Sequence, residues 1–281
     1  MDSALALRNT GLEIIAVDDA STDGSQGILK QYRDRVQVVC LETNQGACAA
    51  RNRGASLATG DYLVFLDGDD AFLPWAVDVY ARIVQAKQPK IILATMSWFE
   101  GTLPAVLAGD APQEIEIVDY SDYLRRDRPF GHSGSAIVVA RQTFEDISGW
   151  LVGLFPAEDN DFALRLGISG RTILILAPST ILHRAHASNT INNIPSFLTA
   201  MENLLRRERL GGYPGGTGRK FERRALIGGM VFHWTKRASR TGLHWNTVKL
   251  LAGGSPMLLA AVTRRLGILM TGRQPCETIK I

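Results

Sequence analysis

Several features are missing from this chain, and each absence excludes something. Its three cysteines, Cys40, Cys48 and Cys276, are too few and too scattered for a disulfide framework or a zinc site, which points to a reducing compartment. No basic-then-apolar leader stands at the N-terminus, so the expected location is cytoplasmic. A membrane span needs about 20 apolar residues in succession. The most apolar late run, about 250–263, is interrupted by Gly253-Gly254 and Pro256 and followed by Arg264-Arg265, so it reads as an interfacial or packed helix. No Gly-rich phosphate loop follows any strand-like run, which weighs against nucleotidyl or phosphoryl transfer. There is no internal repeat, and no recognisable nucleic-acid-binding module, so no nucleic-acid partner is expected.

What is present is enough for a large core. The chain has 281 residues, 46% of them apolar, which suits one large domain or a domain with an appendage. The net charge of +3 hides an asymmetry: residues 204–281 hold 15 Lys and Arg against 3 Asp and Glu, and the rest is acidic. A basic C-terminal third suggests an anionic partner surface, membrane or polyanion, with a merely solvated basic face as the alternative.

The richest stretch is Asp61-Tyr-Leu-Val-Phe-Leu-Asp67-Gly-Asp69-Asp70. Its apolar run reads as a strand buried on both faces, ending in three carboxylates within four positions. Ligands of open α/β sheets bind beyond the carboxyl ends of the strands. Acids crowded there repel one another unless they hold a hard divalent cation on oxygen ligands, or unless they simply close a solvated turn. A second strand, Leu12 to Val17, also ends in paired acids, Asp18-Asp19, ahead of a Ser/Thr/Asp helix cap.

Further strands are expected at Val36–Leu41, Lys90–Met96, Ser135–Ala140, Thr172–Leu176 and Ile181–His186, and helices at about 2–10, 25–34, 47–58, 74–87, 119–127 and from 158. The alternation predicts a parallel sheet with helices on both sides and both Asp pairs on one sheet edge. Residues 97–118 read as loop, and after Pro195 long helical patterns are broken by Gly211-Gly212, Pro214-Gly215-Gly216 and Gly253-Gly254.

Val17-Asp18-Asp19-Ala-Ser-Thr-Asp-Gly-Ser25, Asn44-Gln45-Gly46 with Ala50-Arg51-Asn52-Arg53-Gly54, and Gly60-Asp61 through Asp70 together resemble the family-2 glycosyltransferases of the GT-A fold. Glu158-Asp159-Asn160-Asp161 with Arg165 resembles that family's downstream acidic motif. His183-Arg-Ala-His186-Ala-Ser188 resembles the segment that follows it, with His in a Tyr place. The match spans about residues 3–190. It implies a Rossmann-like mixed sheet with helices on both faces over 1–194, divided into a donor half (1–96) and an acceptor half (97–194). A basic helical extension covers 195–281.

The resemblance also implies chemistry. The expected activity is an inverting, metal-dependent glycosyltransferase of hexosyl type. It would move sugar from a nucleotide-diphosphate sugar, UDP-sugar first, to a glycan or lipid-linked acceptor in surface polysaccharide synthesis. Asp159 would be the general base, against an N-capping role for Glu158 and Asp161 as the alternative to acceptor binding. Asp18, Asp19, Arg51 and Asp67 would bind the donor, with turn and surface-helix roles as alternatives. Asp69 and His186 would ligate Mg²⁺ or Mn²⁺, a structural histidine being the alternative for His186. Trp150 would stack on an acceptor sugar or lie in the core. The basic helices would rest peripherally on the cytoplasmic face of an anionic membrane. The family's first strand, carrying a Pro-x-Tyr-Asn-like turn, has no counterpart here. That leads to the expectation of a start further upstream or of a degenerate, non-catalytic copy, and of weak donor binding.

Overall fold

The computed structural model describes residues 1–7, 11–103, 112–128, 131 and 133–280. Residues 8–10 of the expected first helix and 104–111 of the expected long loop lie outside them. In chain order the elements are α1 (Asp2–Leu5), β1 (Ile15–Asp18), α2 (Ser25–Lys30), β2 (Gln37–Cys40), α3 (Ala47–Ala55), β3 (Tyr62–Val64), β4 (Ala71–Phe72), α4 (Ala76–Lys87), β5 (Ile91–Leu93) and β6 (Met96–Glu100). There follow β7 (Glu114–Tyr120), β8 (Ile137–Ala140), α5 (Arg141–Asp146), α6 (Glu158–Leu166), β9 (Thr172–Ala177), β10 (Ile181–Ala185), α7 (Ile194–Arg209), α8 (Lys220–Arg240), α9 (His244–Thr271) and β11 (Glu277–Lys280).

The main sheet has the order β11-β7-β9-β5-β8-β3. Its strands alternate their side chains between two cores, as the two-residue period demands. On β5, Ile92 joins Ile173, Ile175 and Val138 against Val79, Tyr80 and Ile83 of α4. Its neighbours Ile91 and Leu93 join Leu174, Val139 and Tyr120 on the opposite face, against Phe162 and Leu166 of α6. Burial on both faces is why these strands read as continuous apolar runs rather than alternating ones.

The main sheet is mixed, as the family resemblance implies, and not the parallel sheet that the alternation alone predicts: β5 and β9 run parallel, but β8 lies between β3 and β5 antiparallel to both, and β7 is antiparallel to β9. Nor do the two Asp pairs share one hydrogen-bonded sheet. Among the described residues β1 pairs only with β2, in parallel, and β3 only with β8. Helix α3 connects the two regions instead, with Gly54 facing the Val17 side chain of β1. The expected loop at 97–118 contains most of β6 and the start of β7. The expected helix at 119–127 is a single 3₁₀ turn, Tyr123–Arg125, capped by the Asp122 side chain. A small third sheet, β4-β10-β6, carries the His183–His186 segment back past the end of β3.

The C-terminal helices pack on a core that they share with Leu124, Ala157 and Leu164, with Phe197, Met201 and Leu204 of α7 against Val231 and Trp234 of α8 and Leu250 and Met257 of α9. Gly253, Gly254 and Pro256 do not break α9, which runs unbroken through them. The reason is contact: a Cβ on Gly254 would crowd Val231, and one on Gly228 would collide with the Met257 backbone. Glycine here sets how closely α8 and α9 approach, and tertiary packing overrides its poor helix propensity. Among the described residues no helix is long and apolar enough to cross a membrane.

The basic excess of this region is partly spent inside the protein. Arg223 donates to Glu208 at 2.7 Å, both buried, Arg207 lies 3.5 Å from Asp161, and Arg219 grips Asp122 with bonds of 2.7 and 2.6 Å.

Candidate active site

The centre of the site is Arg51 on α3. Its Nη2 is 2.5 Å from Asp67 Oδ1, its Nη1 is 3.8 Å from Glu158 Oε1, and its guanidinium lies over the Trp150 ring at 4.8 Å. Burial works against that charge, but Asp67, Asp159 and Glu158 outweigh it and hold the Arg51 pKa above its ordinary value. Gly134 is required for this placement, because a Cβ there would sit 2.6 Å from the Arg51 guanidinium carbon.

Three acids around one arginine leave a negative surplus. Asp159 registers it: burial, only partly offset by Arg51 and reinforced by Glu158 and Asp67, lifts its pKa to about 7. Glu158, 6% exposed, is raised as well, chiefly by burial. Asp159 Oδ1 and Glu158 Oε2 are buried with no hydrogen-bond partner among the described residues. Both stand at the start of α6, whose N-terminal dipole favours their charge.

Beyond β3 the acids divide their work. Ser135 ties them together, accepting from Asp67 N at 3.0 Å and donating to Asp70 Oδ2 at 2.7 Å. Asp70 is buried, accepts from Arg184 N at 3.2 Å and lies 2.8 Å from His183 Nδ1. Its hydrogen bond raises the His183 pKa, against the opposing effect of burial.

Asp69 remains open, with Oδ2 3.0 Å from His186 Nε2. His186 Nδ1 stands 2.8 Å from Ser188 Oγ, and Asn189 Nδ2 is 3.2 Å from Nε2. With the ring proton on Nδ1, Nε2 presents a lone pair to a carboxylate oxygen, an arrangement that a shared cation satisfies. Ligands held cis on an octahedral ion with bonds of about 2.1 Å lie about 3 Å apart, so this pair fits Mg²⁺ or Mn²⁺. Among the described residues no three His, Cys, Asp or Glu side chains are grouped to hold a metal. Asp69 and His186 are thus the residues at this edge that could hold such an ion.

The other expected donor residues are partly committed to structure. Asp18 Oδ2 accepts from Ser21 N at 3.1 Å and Gln26 Nε2 at 2.9 Å. The Ser21 bonds, together with the weaker one from Gln26, overcome burial and lower its pKa. Both oxygens of Asp19 accept backbone N–H bonds at the start of α3, from Gln45 at 2.8 Å and Gly46 at 2.7 Å. Asp19 thus docks the end of β1 onto the helix that carries Arg51.

Two expected acceptor residues are not brought to the cleft. Trp150 is 1% exposed and stacks on Phe162 with ring centroids 3.9 Å apart, so it is a core residue and cannot stack on a sugar. Asp161 is 0% exposed and bonded to Arg165 at 2.7 Å, because its place on α6 faces the protein interior. Sequence reading quotes Asn52 within a motif but gives it no role; its amide donates to Trp150 O and accepts from Trp150 N, both at 2.8 Å. Ser135 and Gly134 were missed. Neither carries a local signal, since both act on partners about 70 to 80 residues away in sequence.

A cavity of about 1010 Å³ opens from Asp159 and Asn160 toward α8 and α9.

With this geometry in hand, comparison with known proteins is informative. Residues 1–138 match the family model described as Glycosyl transferase family 2. The chain is similar to the Escherichia coli UDP-Glc:alpha-D-GlcNAc-diphosphoundecaprenol beta-1,3-glucosyltransferase WfaP, 26% identical over 73% of this chain and 78% of that one. It spans between roughly a quarter and roughly half the length of other curated glycosyltransferases that it matches. Its fold is similar to that of S. aureus TarS residues 1–349 in complex with UDP, with a TM-score of 0.59, 17% identity, and coverage of 81% of this chain and 64% of that one. It is also similar to that of the mannosyltransferase PcManGT from Pyrobaculum calidifontis in complex with GDP-Man and Mn²⁺, with a TM-score of 0.54, 14% identity, and coverage of 94% and 81%. The fold is therefore GT-A, and within it residues 1–138, just under half of the chain, carry the match to glycosyl transferase family 2.

Proposed function

We propose that this chain transfers a sugar, with inversion, from a nucleotide-diphosphate sugar to a hydroxyl of a lipid-linked glycan, in the assembly of a surface polysaccharide. The observation that carries this reading is Asp159, a carboxylate with a pKa near 7 and an unpartnered buried oxygen, facing a cavity beside an Arg51–Asp67 pair. A base tuned to the working pH is what proton abstraction from an alcohol requires.

The transfer is a single displacement. The acceptor O–H gives its proton to Asp159 as its oxygen bonds to the anomeric carbon, while the bond from that carbon to the diphosphate oxygen breaks and the nucleoside diphosphate leaves. Asp19 and Asp67 hold the nucleoside end, and Arg51 keeps Asp67 and Glu158 in place and limits how far the Asp159 pKa rises. Asp69 and His186 would hold Mg²⁺ or Mn²⁺, which supplies positive charge against the departing diphosphate. UDP is the favoured nucleotide because the TarS neighbour carries it.

Helix α9 supports a peripheral membrane position. Trp245, Val248, Leu259, Val262, Leu266 and Leu269 are exposed at spacings of three, four and eleven residues, which lines them along one outward face near Lys249 and Arg265.

Asp159→Asn tests the chemistry. Nucleotide release with a lipid-linked acceptor should fall at least about a thousandfold while UDP binding by calorimetry stays within a few-fold, since the change touches only the transition state. Full activity in this variant would remove Asp159 from the mechanism.

A further inference from the structure

The cavity that opens from Asp159 carries an unmatched set of charges. It is bounded by α8, α9 and the segment Arg126–Arg128, and it is mainly apolar, with Phe197, Trp234, Leu258 and Ile268 among its walls. At about 1010 Å³ it is at the upper end of small-ligand sites. Set into these walls are Arg126, Arg128 and Arg264, and the Nη1 atom of each is buried with no hydrogen-bond partner among the described residues.

Of the nearby acids only Asp127 reaches these arginines, and it pairs with Arg128, whose Nη2 also donates to Gln274 O at 3.0 Å; Arg264 Nη2 donates to Arg126 O, which leaves Arg126 and Arg264 without an acid among the described residues. Asp127 accepts from the Tyr120 hydroxyl at 2.7 Å and from Gln274 N, and stands 3.9 Å from Arg128 Nη1. Asp122 and Glu222 are taken by Arg219 and Arg125. Burial and the neighbouring Arg126 charge press the Arg264 pKa down to about 10. Unneutralised guanidinium groups in an apolar wall are costly unless an anion arrives, and their planar forks match the oxygens of a phosphate or diphosphate.

The apolar part has an outlet. Phe232, Val262 and Leu269 line the cavity and are also exposed, so its wall continues into the outward apolar face of α9.

We infer that this cavity is the acceptor site and takes a lipid diphosphate, with the hydrocarbon chain lying between α8 and α9 and the diphosphate on Arg126, Arg128 and Arg264. The inference rests on the reading of Asp159 as the base, because the same cavity presents the sugar of such a lipid to that carboxylate. Charge decides the class: a neutral glycan leaves the arginines bare, and a soluble sugar phosphate leaves the apolar channel empty.

The test is calorimetry on the full chain with farnesyl diphosphate below its micelle concentration, with farnesol as the uncharged control and UDP with Mn²⁺ as the donor-site control. Farnesyl diphosphate should bind at least tenfold tighter than farnesol, and Arg126→Gln and Arg264→Gln should each weaken it at least tenfold. Gly229→Trp should do the same by blocking the channel, since Gly229 lines the cavity with open space where its side chain would grow. It also keeps the test decisive should an arginine variant fail to fold. UDP binding should stay within twofold throughout. Farnesyl diphosphate that does not bind, binds no tighter than farnesol, or binds the variants equally well overturns the assignment. Loss of UDP binding in the parent chain instead counts against the donor reading, so the two failures are distinguishable.

Discussion

Two charge clusters border the same cavity, and they are opposites. Around Arg51, three carboxylates share one guanidinium, and the surplus appears as an Asp159 pKa of about 7. Around Arg264, three guanidinium groups have one carboxylate among them, Asp127 at 3.9 Å from Arg128, and the surplus appears as an Arg264 pKa of about 10. Elsewhere the fully buried charges pair one to one, and the second arginine near each acid, Arg224 at 3.7 Å from Glu208 and Arg207 at 3.5 Å from Asp161, is partly exposed to solvent. Glu208 receives Arg223 at 2.7 Å, with Arg223 also donating to Pro214 O and Gly216 O, and Asp161 receives Arg165. The contrast teaches that imbalance, not charge itself, marks where a ligand is expected. A balanced buried pair keeps the fold together, whereas a surplus of either sign stores a preference for a proton, a cation or an anion.

The largest effect expected from this contrast is on a balanced pair. Glu208→Gln leaves Arg223 buried without its counter-charge and should cost about 3–5 kcal/mol in chemical denaturation. A loss below about 1 kcal/mol would erase the distinction between balanced and surplus clusters.

Next comes the pH dependence of stability. The Asp159 pKa is higher folded than unfolded, so the folded state binds its proton more tightly. Stability from this group is full below about pH 4 and declines as pH rises toward about 7. Asp159→Asn should remove that decline, giving a higher Tm than the parent at pH 8 and a smaller difference at pH 5. An equal difference at both pH values would mean the carboxyl is not under strain.

The smallest effect is on the arginine side. Arg126→Gln relieves like-charge repulsion with Arg264, so Tm should stay level or rise by a few degrees. A fall of the size expected for Glu208→Gln would mean that Arg126 serves the fold rather than a ligand.

How much of this was legible beforehand follows from sequence distance. Asp67, Asp69, Asp159 and His186 draw notice in the sequence because each sits in a short motif just beyond a strand or at the start of a helix, and Arg51 because its motif lies within α3. The seven expected strands lie close to observed ones because, like Ile91–Leu93 and Ile137–Ala140, they are apolar runs bounded by polar residues, whereas β4, β6, β7 and β11 were not expected. The order of the strands was not legible. That β8 inserts antiparallel between β3 and β5 depends on pairings such as Leu63 with Val139, 76 positions away, which no local period encodes. Trp150 and Asp161 failed as acceptor residues because a motif fixes residue type but not which way a side chain faces. The arginine cluster was visible only as bulk positive charge, since Arg126 and Arg264 meet across 138 positions.

Asn52 has one more consequence. By both giving and receiving a bond at the Trp150 backbone, its amide fastens α3 to the segment that enters α6. The helix bearing Arg51 and the helix bearing Asp159 are thus riveted together before any substrate arrives. The spacing between these two helices is therefore a product of folding itself.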